Sequence, residues 1–190
     1  MVAISLIAPE RAAVIRCARA WLRTPYHHRG RVKGAGVDCA MLLAEVYAEA
    51  GLVQPLAIPH YPPDWHLHRD AERYLGVLLD HAVEIAAPPS PGDIALWRFG
   101  RCFSHGAIVV DWPVVIHAYL GRGCVLEDAD KAEWLSRIGE ARDEHAKLRP
   151  VKFFTLKRWA SDINHGDTES TEKNKIVSPC PLRLRGEEVV

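Results

Sequence analysis

Gly36-Val37-Asp38-Cys39-Ala40-Met41-Leu42-Leu43-Ala44-Glu45-Val46-Tyr47-Ala48-Glu49-Ala50-Gly51 is the stretch whose reading decides the fold. Asp38 is a good helix N-cap, because a short carboxylate can accept from the unpaired N–H groups of a first turn. Cys39, Leu42, Leu43, Val46, Tyr47 and Ala50 then fall on one apolar stripe at helical spacing, and Gly51 supplies the stop. The stripe needs a layer to pack on, and it carries Cys39 toward that layer.

Upstream, residues 9–22 read as a second helix, with Pro9 in its first turn and Val14, Ile15, Ala18, Trp21 and Leu22 in phase. Thr24-Pro25 ends it, since a residue before proline avoids the helical region. Residues 26–37 form a basic, glycine-containing loop. Downstream come a proline- and histidine-rich loop over 54–67 and a shorter helix around 69–80. The pattern then changes to short β-prone runs, Ile94–Trp97, Gly106–Val110, Val114–Tyr119, Val125–Glu127 and Val151–Leu156, with a partly helical polar stretch at 128–148. Helices first and an antiparallel sheet after them make an α+β domain over 1–159, with a polar, mobile or partner-docking tail at 160–190.

Composition narrows the partners. The 190 residues are 48% hydrophobic and 25% charged, and Lys plus Arg balance Asp plus Glu at 24 each. No net field favours nucleic acid or an anionic membrane surface. No run approaches the roughly 18 apolar residues of a membrane span, so membrane insertion is not expected. The opening Met1–Ala8 is too short for a signal peptide, which points to synthesis in a cytoplasm. Cys17, Cys39, Cys102, Cys124 and Cys180 are odd in number and lack short paired spacings, which argues against a disulfide framework.

The candidate chemistry starts at Cys39. A cysteine in the first turn of a helix meets unpaired N–H groups and the positive end of the dipole, which favour a reactive thiolate. His105 in Ser104-His105-Gly106 and His117 in Val115-Ile116-His117-Ala118 flank the turn Asp111-Trp112-Pro113. If that turn is a three-residue loop with Val110 opposite Val114, then Ala107 opposes His117 and His105 is its diagonal neighbour on the same face. A slip of one residue would part the two rings. In the paired arrangement His117 orients His105, which takes the thiol proton and later gives it to a leaving amine.

Three segments in this order resemble the NlpC family of papain-like cell-wall cysteine peptidases: Thr24-Pro25-Tyr26 with Gly36-Val37-Asp38-Cys39, Pro91-Gly92-Asp93-Ile94, and Ser104-His105-Gly106 leading to Val115-Ile116-His117-Ala118. The resemblance implies Cys39 as nucleophile, His105 as base and His117 as third member. It implies Tyr26 beside the nucleophile, shaping the oxyanion and substrate site, and Asp38 near a substrate amine. The implied substrate is the stem peptide of peptidoglycan, cut between the γ-carboxyl of D-glutamate and diaminopimelate, with no cofactor. Ala40 in place of the usual serine, and His27-His28-Arg29-Gly30 in place of Trp-Gly-Gly, are similar to the branch found in bacteriophage tails and gene-transfer particles. That branch implies tail-tip or baseplate partners, and action in the periplasm or wall after delivery.

Three other readings compete. Cys102 and His105 have Cys-x2-His spacing and His66 and His68 flank Leu67, but a second tight pair of zinc ligands is missing, so no metal is expected. The same cysteine machinery could act as an amidase or acyltransferase on a small molecule or lipid, although no long apolar groove segment is evident. A non-catalytic tail-tip module is the third.

Overall fold

The computed structural model describes residues 7–63, 72–131 and 150–163. The expected polar helix within 128–148, the start of the helix at 69–80, His66, His68 and the tail beyond 163 lie wholly or largely outside them. Helix α1 spans Pro9–Ala20 and helix α2 spans Cys39–Glu49, joined through a two-stranded ribbon of β1 (Arg31–Val32) and β2 (Gly36–Val37). Helix α3 (Arg73–His81) runs directly into β3 (Ala82–Ile85). Strands β4 (Ile94–Phe99), β5 (Cys102–Asp111), β6 (Val114–Tyr119), β7 (Gly123–Asp128) and β8 (Val151–Leu156) follow, and α4 (Lys157–Ile163) crosses the boundary expected at 159/160.

The main sheet is antiparallel in the order β3-β8-β4-β5-β6-β7, so the α+β reading holds. Strand β3 has no counterpart in the expected elements. It is four residues long and continues a helix without a turn residue, so nothing punctuates it in the sequence. Val14 and Ala18 of α1 and Leu42, Leu43, Val46 and Tyr47 of α2 pack on Ile94, Leu96, Ile108, Ile116 and Phe154 of the sheet. Burying each large side chain of that set contributes about 1.5–3 kcal/mol. The opposite face carries a second cluster around Trp97, Ala107, Val109 and Val115.

Polar ties fix how the helices sit. Arg11 of α1 reaches Pro91 O (2.9 Å), Asp93 Oδ1 (2.8 Å) and Thr155 Oγ1 (3.1 Å). The Tyr47 hydroxyl of α2 donates to Gly92 O at 2.7 Å. Pro91-Gly92-Asp93 is therefore a docking turn for both helices, and Gly92 takes the left-handed φ of 85° that the turn requires.

The β5–β6 turn corrects the expected loop. Asp111, not Val110, opposes Val114, leaving only Trp112 and Pro113 between them, joined by a cis peptide. A bulge at Val110 then absorbs one residue, so that Val109 faces Val115 and Ile108 faces Ile116. A shorter loop plus a bulge gives the same parity inside the hairpin as the loop first expected.

Strand β7 closes against the start of the chain. Arg23 N donates to Cys124 O at 2.9 Å and Cys124 N to Thr24 O at 2.8 Å. Gly123 has φ +74°, and a Cβ there would stand 2.6 Å from Thr24 O. Gly123→Ala should therefore lower stability by about 1–3 kcal/mol in urea unfolding. An unchanged midpoint would contradict this reading of the contact.

Candidate active site

Asp38 N-caps α2 as the sequence predicts, with Oδ1 accepting from Met41 N at 2.9 Å. Its other oxygen accepts from Arg29 N (2.7 Å) and the Tyr61 hydroxyl (2.6 Å), with His28 Nδ1 at 3.6 Å. The carboxylate is 2% exposed, and its partners come from both flanking loops. It acts here as the knot that ties residues 28–29 and 61 to the helix start. The loop that departs from Trp-Gly-Gly has a structural role in this knot: His28 Nε2 also contacts Tyr61 O at 2.9 Å.

Cys39 meets the sheet where β5 and β6 part. Their pairing runs from the turn to Ile108–Ile116, whereas β6 stays paired to β7 through Tyr119–Gly123. A second irregularity in β5, where Trp97 faces His105 but Arg98 faces Phe103, leaves Ser104 as the extra residue. The Cys39 thiol donates to Ser104 O at 3.7 Å, and Sγ accepts from the backbone N–H of Gly106. The sulfur thus rests on main chain on both sides of His105. Gly106 is required there, because a Cβ would press on Leu43 and the Tyr74 ring.

The histidine pair forms. His105 Nε2 and His117 Nδ1 are 2.9 Å apart, with the rings edge to face. Extending the observed register by one residue puts Ala107 opposite His117, as expected. Phe99 (5.0 Å), Tyr119 (5.6 Å) and Trp97 (6.1 Å, centroid to centroid) wall the His105 ring. His117 is fully buried.

Several contributors were not foreseen. His117 Nε2 lies 3.1 Å from Glu127 Oε2, and Arg122 Nη1 donates to Glu127 Oε1 at 2.6 Å. The signal was present, since Val125 pairs with His117 and Val115 with Glu127, so the parity argument extends across one more hairpin. Tyr61 and the Tyr74 hydroxyl, which donates to Cys39 O at 3.4 Å, were also missed. They come from a loop and a helix far along the chain, with no local spacing to mark them.

The electrostatics run against the expected low-pKa thiolate. Burial pushes the Cys39 thiol up to about 12, and the Asp38 carboxylate adds to the rise. The N–H groups of Gly106, Ala40 and Cys39 pull the other way without prevailing. The anion-favouring helix end is already occupied by the Asp38 carboxylate. Tyr26, half-buried and bridged to Val37, is raised by burial and then by Cys39 and Asp38, which places it in their field as a neutral phenol. Tyr61 and Tyr74 are raised in the same way.

Among the described residues no group of three or more His, Cys, Asp or Glu stands ready to hold a metal. An apolar cavity of about 460 Å³ opens beside Ala40, between α2, α3 and the loop at 53–61.

A thiol raised to about 12 loses its proton only in alkaline solution. Iodoacetamide labelling of Cys39 in the free protein should climb roughly tenfold per pH unit from pH 6 to 10. A plateau at mildly acidic pH would contradict this and restore a preformed thiolate.

No family model and no curated protein matches the chain. Solved structures do. NlpC1 of Trichomonas vaginalis aligns with TM-score 0.52 at 18% identity, covering 80% of this chain and 45% of that one. NlpC2 of the same organism aligns with TM-score 0.51 at 16% identity, covering 80% and 50%. The chain thus spans about half the length of each. The NlpC/p60 domain of the peptidoglycan hydrolase SagA aligns with TM-score 0.49 at 19% identity, covering 75% and 96%. The helix-start cysteine and the splayed antiparallel sheet belong to a papain-like fold of the NlpC type.

Proposed function

We propose that the chain is a cysteine peptidase that hydrolyses stem-peptide amide bonds of bacterial peptidoglycan. The observations that carry this are the seat of the Cys39 thiol on Ser104 O, the residue before His105, and the 2.9 Å contact of His105 with His117. The NlpC-type fold and the description of SagA as a peptidoglycan hydrolase support the substrate class. The favoured bond joins the γ-carboxyl of D-glutamate to diaminopimelate. Delivery by a phage tail or similar particle, with tail-tip or baseplate proteins as partners, is the proposed route to the wall.

The raised thiol shapes the mechanism. His105 takes the Sγ proton as the sulfur attacks the carbonyl carbon, so proton transfer accompanies attack rather than preceding it. The backbone N–H of Cys39 and the Tyr26 hydroxyl are donors available to the oxyanion. The imidazolium then protonates the leaving amine, the C–N bond breaks, and a thioester remains on Sγ. Water, deprotonated by His105, hydrolyses it and restores the thiol.

Purified sacculi digested with the protein should release stem-peptide fragments whose masses locate the cut, and Cys39→Ala should release none. The same products from both, or none from either, would sink the proposal.

The cavity supports a second reading, amide hydrolysis or acyl transfer on a lipid-like substrate. Its lining of Leu43, Val53, Ile58, Val77 and Leu78 supplies the apolar site that the sequence did not disclose, and Ala40 puts a methyl group there instead of a hydroxyl. On this reading kcat/KM for acyl p-nitroanilides rises by about fourfold per methylene until the cavity fills. A flat series would dismiss it.

A further inference from the structure

We infer that Glu127 is a positioning residue that sets the protons of the histidine pair and so makes Nδ1 of His105 the basic atom of the site. The inference rests on the cysteine-peptidase reading above and deepens it.

A carboxylate only accepts hydrogen bonds. The 3.1 Å contact of Glu127 Oε2 with His117 Nε2 therefore places a proton on that nitrogen. In a neutral His117 the other nitrogen, Nδ1, must then be an acceptor. It lies 2.9 Å from His105 Nε2, so His105 donates there and carries its proton on Nε2. The lone pair of His105 is left on Nδ1, the ring nitrogen nearer the main chain. Main chain is where the sulfur sits, against Ser104 O and Gly106 N.

Reversing the Glu127 contact reverses every proton in the row and leaves His105 with N–H, not a lone pair, on the side of its own backbone. Arg122 holds the other Glu127 oxygen at 2.6 Å, and the strand pairing of Val115 with Glu127 fixes the carboxylate beneath His117. Trp97, Phe99 and Tyr119 wall the His105 ring, so the pair exchanges protons with its polar neighbours rather than across an open face. When His105 takes the thiol proton on Nδ1, the pair becomes cationic and the Glu127 carboxylate stands at its far end to offset that charge.

The test uses the full chain labelled with 15N-histidine and long-range 15N–1H correlation spectra at neutral pH. The wild type should show His117 and His105 both protonated on Nε2 and unprotonated on Nδ1. Glu127→Leu, which removes the acceptor, should populate the opposite tautomer of both rings. Glu127→Gln has a single acceptor oxygen, which Arg122 takes, so its NH2 faces His117 Nε2 and should also populate the opposite tautomer, with unchanged backbone amide spectra controlling for misfolding. On the substrate that the sacculus digestion identifies, Glu127→Leu should lower kcat at least about tenfold with KM little changed. A wild-type His117 protonated on Nδ1, or spectra of Glu127→Leu identical to wild type, would overturn the inference. The spectra need no substrate, so they can fail while the peptidoglycan reading stands, and the reverse.

Discussion

Two strands that pair for a few residues and then separate leave main-chain groups without a strand partner, and in this protein the Cys39 sulfur settles on such groups. Ser104 O accepts from the thiol and Gly106 N–H donates to it, in place of the ladder that β6 no longer supplies. Much else follows from holding that gap. Gly106 must lack a side chain so that Leu43 and Tyr74 can close on the strand. The His105 and His117 rings span the diverging strands, and the β6–β7 hairpin delivers Glu127 behind them. Arg11 and Tyr47 pin both helices to the turn before β4, which keeps α2 aimed at the gap.

The Asp38 carboxylate governs the chemistry from the other side. It satisfies the first turn of α2 and gathers Arg29 and Tyr61 around the nucleophile. The same negative charge, with burial, raises the thiol and favours its protonated form. A half-buried thiol raised by burial and by Asp38 depends for its activation on a correctly oriented imidazole. The Glu127 arrangement answers that dependence, since a single misplaced ring proton would leave the thiol without a base.

The helix-start cysteine, the α+β order and the facing histidines were legible because each rests on local periodicity and strand parity. The hairpin shows how such reasoning can succeed through compensation. The loop is one residue shorter than expected and a bulge at Val110 restores the phase, which no local pattern around Val110 announces. The thiolate expectation left two opposing effects out of account. It weighed the helix dipole but not the charge of the very residue that caps it, nor the burial that packing on the sheet brings. Tyr61, Tyr74 and the apolar cavity depend on how α3 and a proline-rich loop fold back on α2, which is tertiary information.

The dependence of the sulfur on His105 is the centre of this account. The most direct measurement is the rate at which Cys39 is acylated by an activated acyl donor at pH 7, with the adduct located by mass, in the wild type and in His105→Ala. The account expects modification at Cys39 and a loss of about a hundredfold or more in the variant. Equal rates in the two proteins would contradict it.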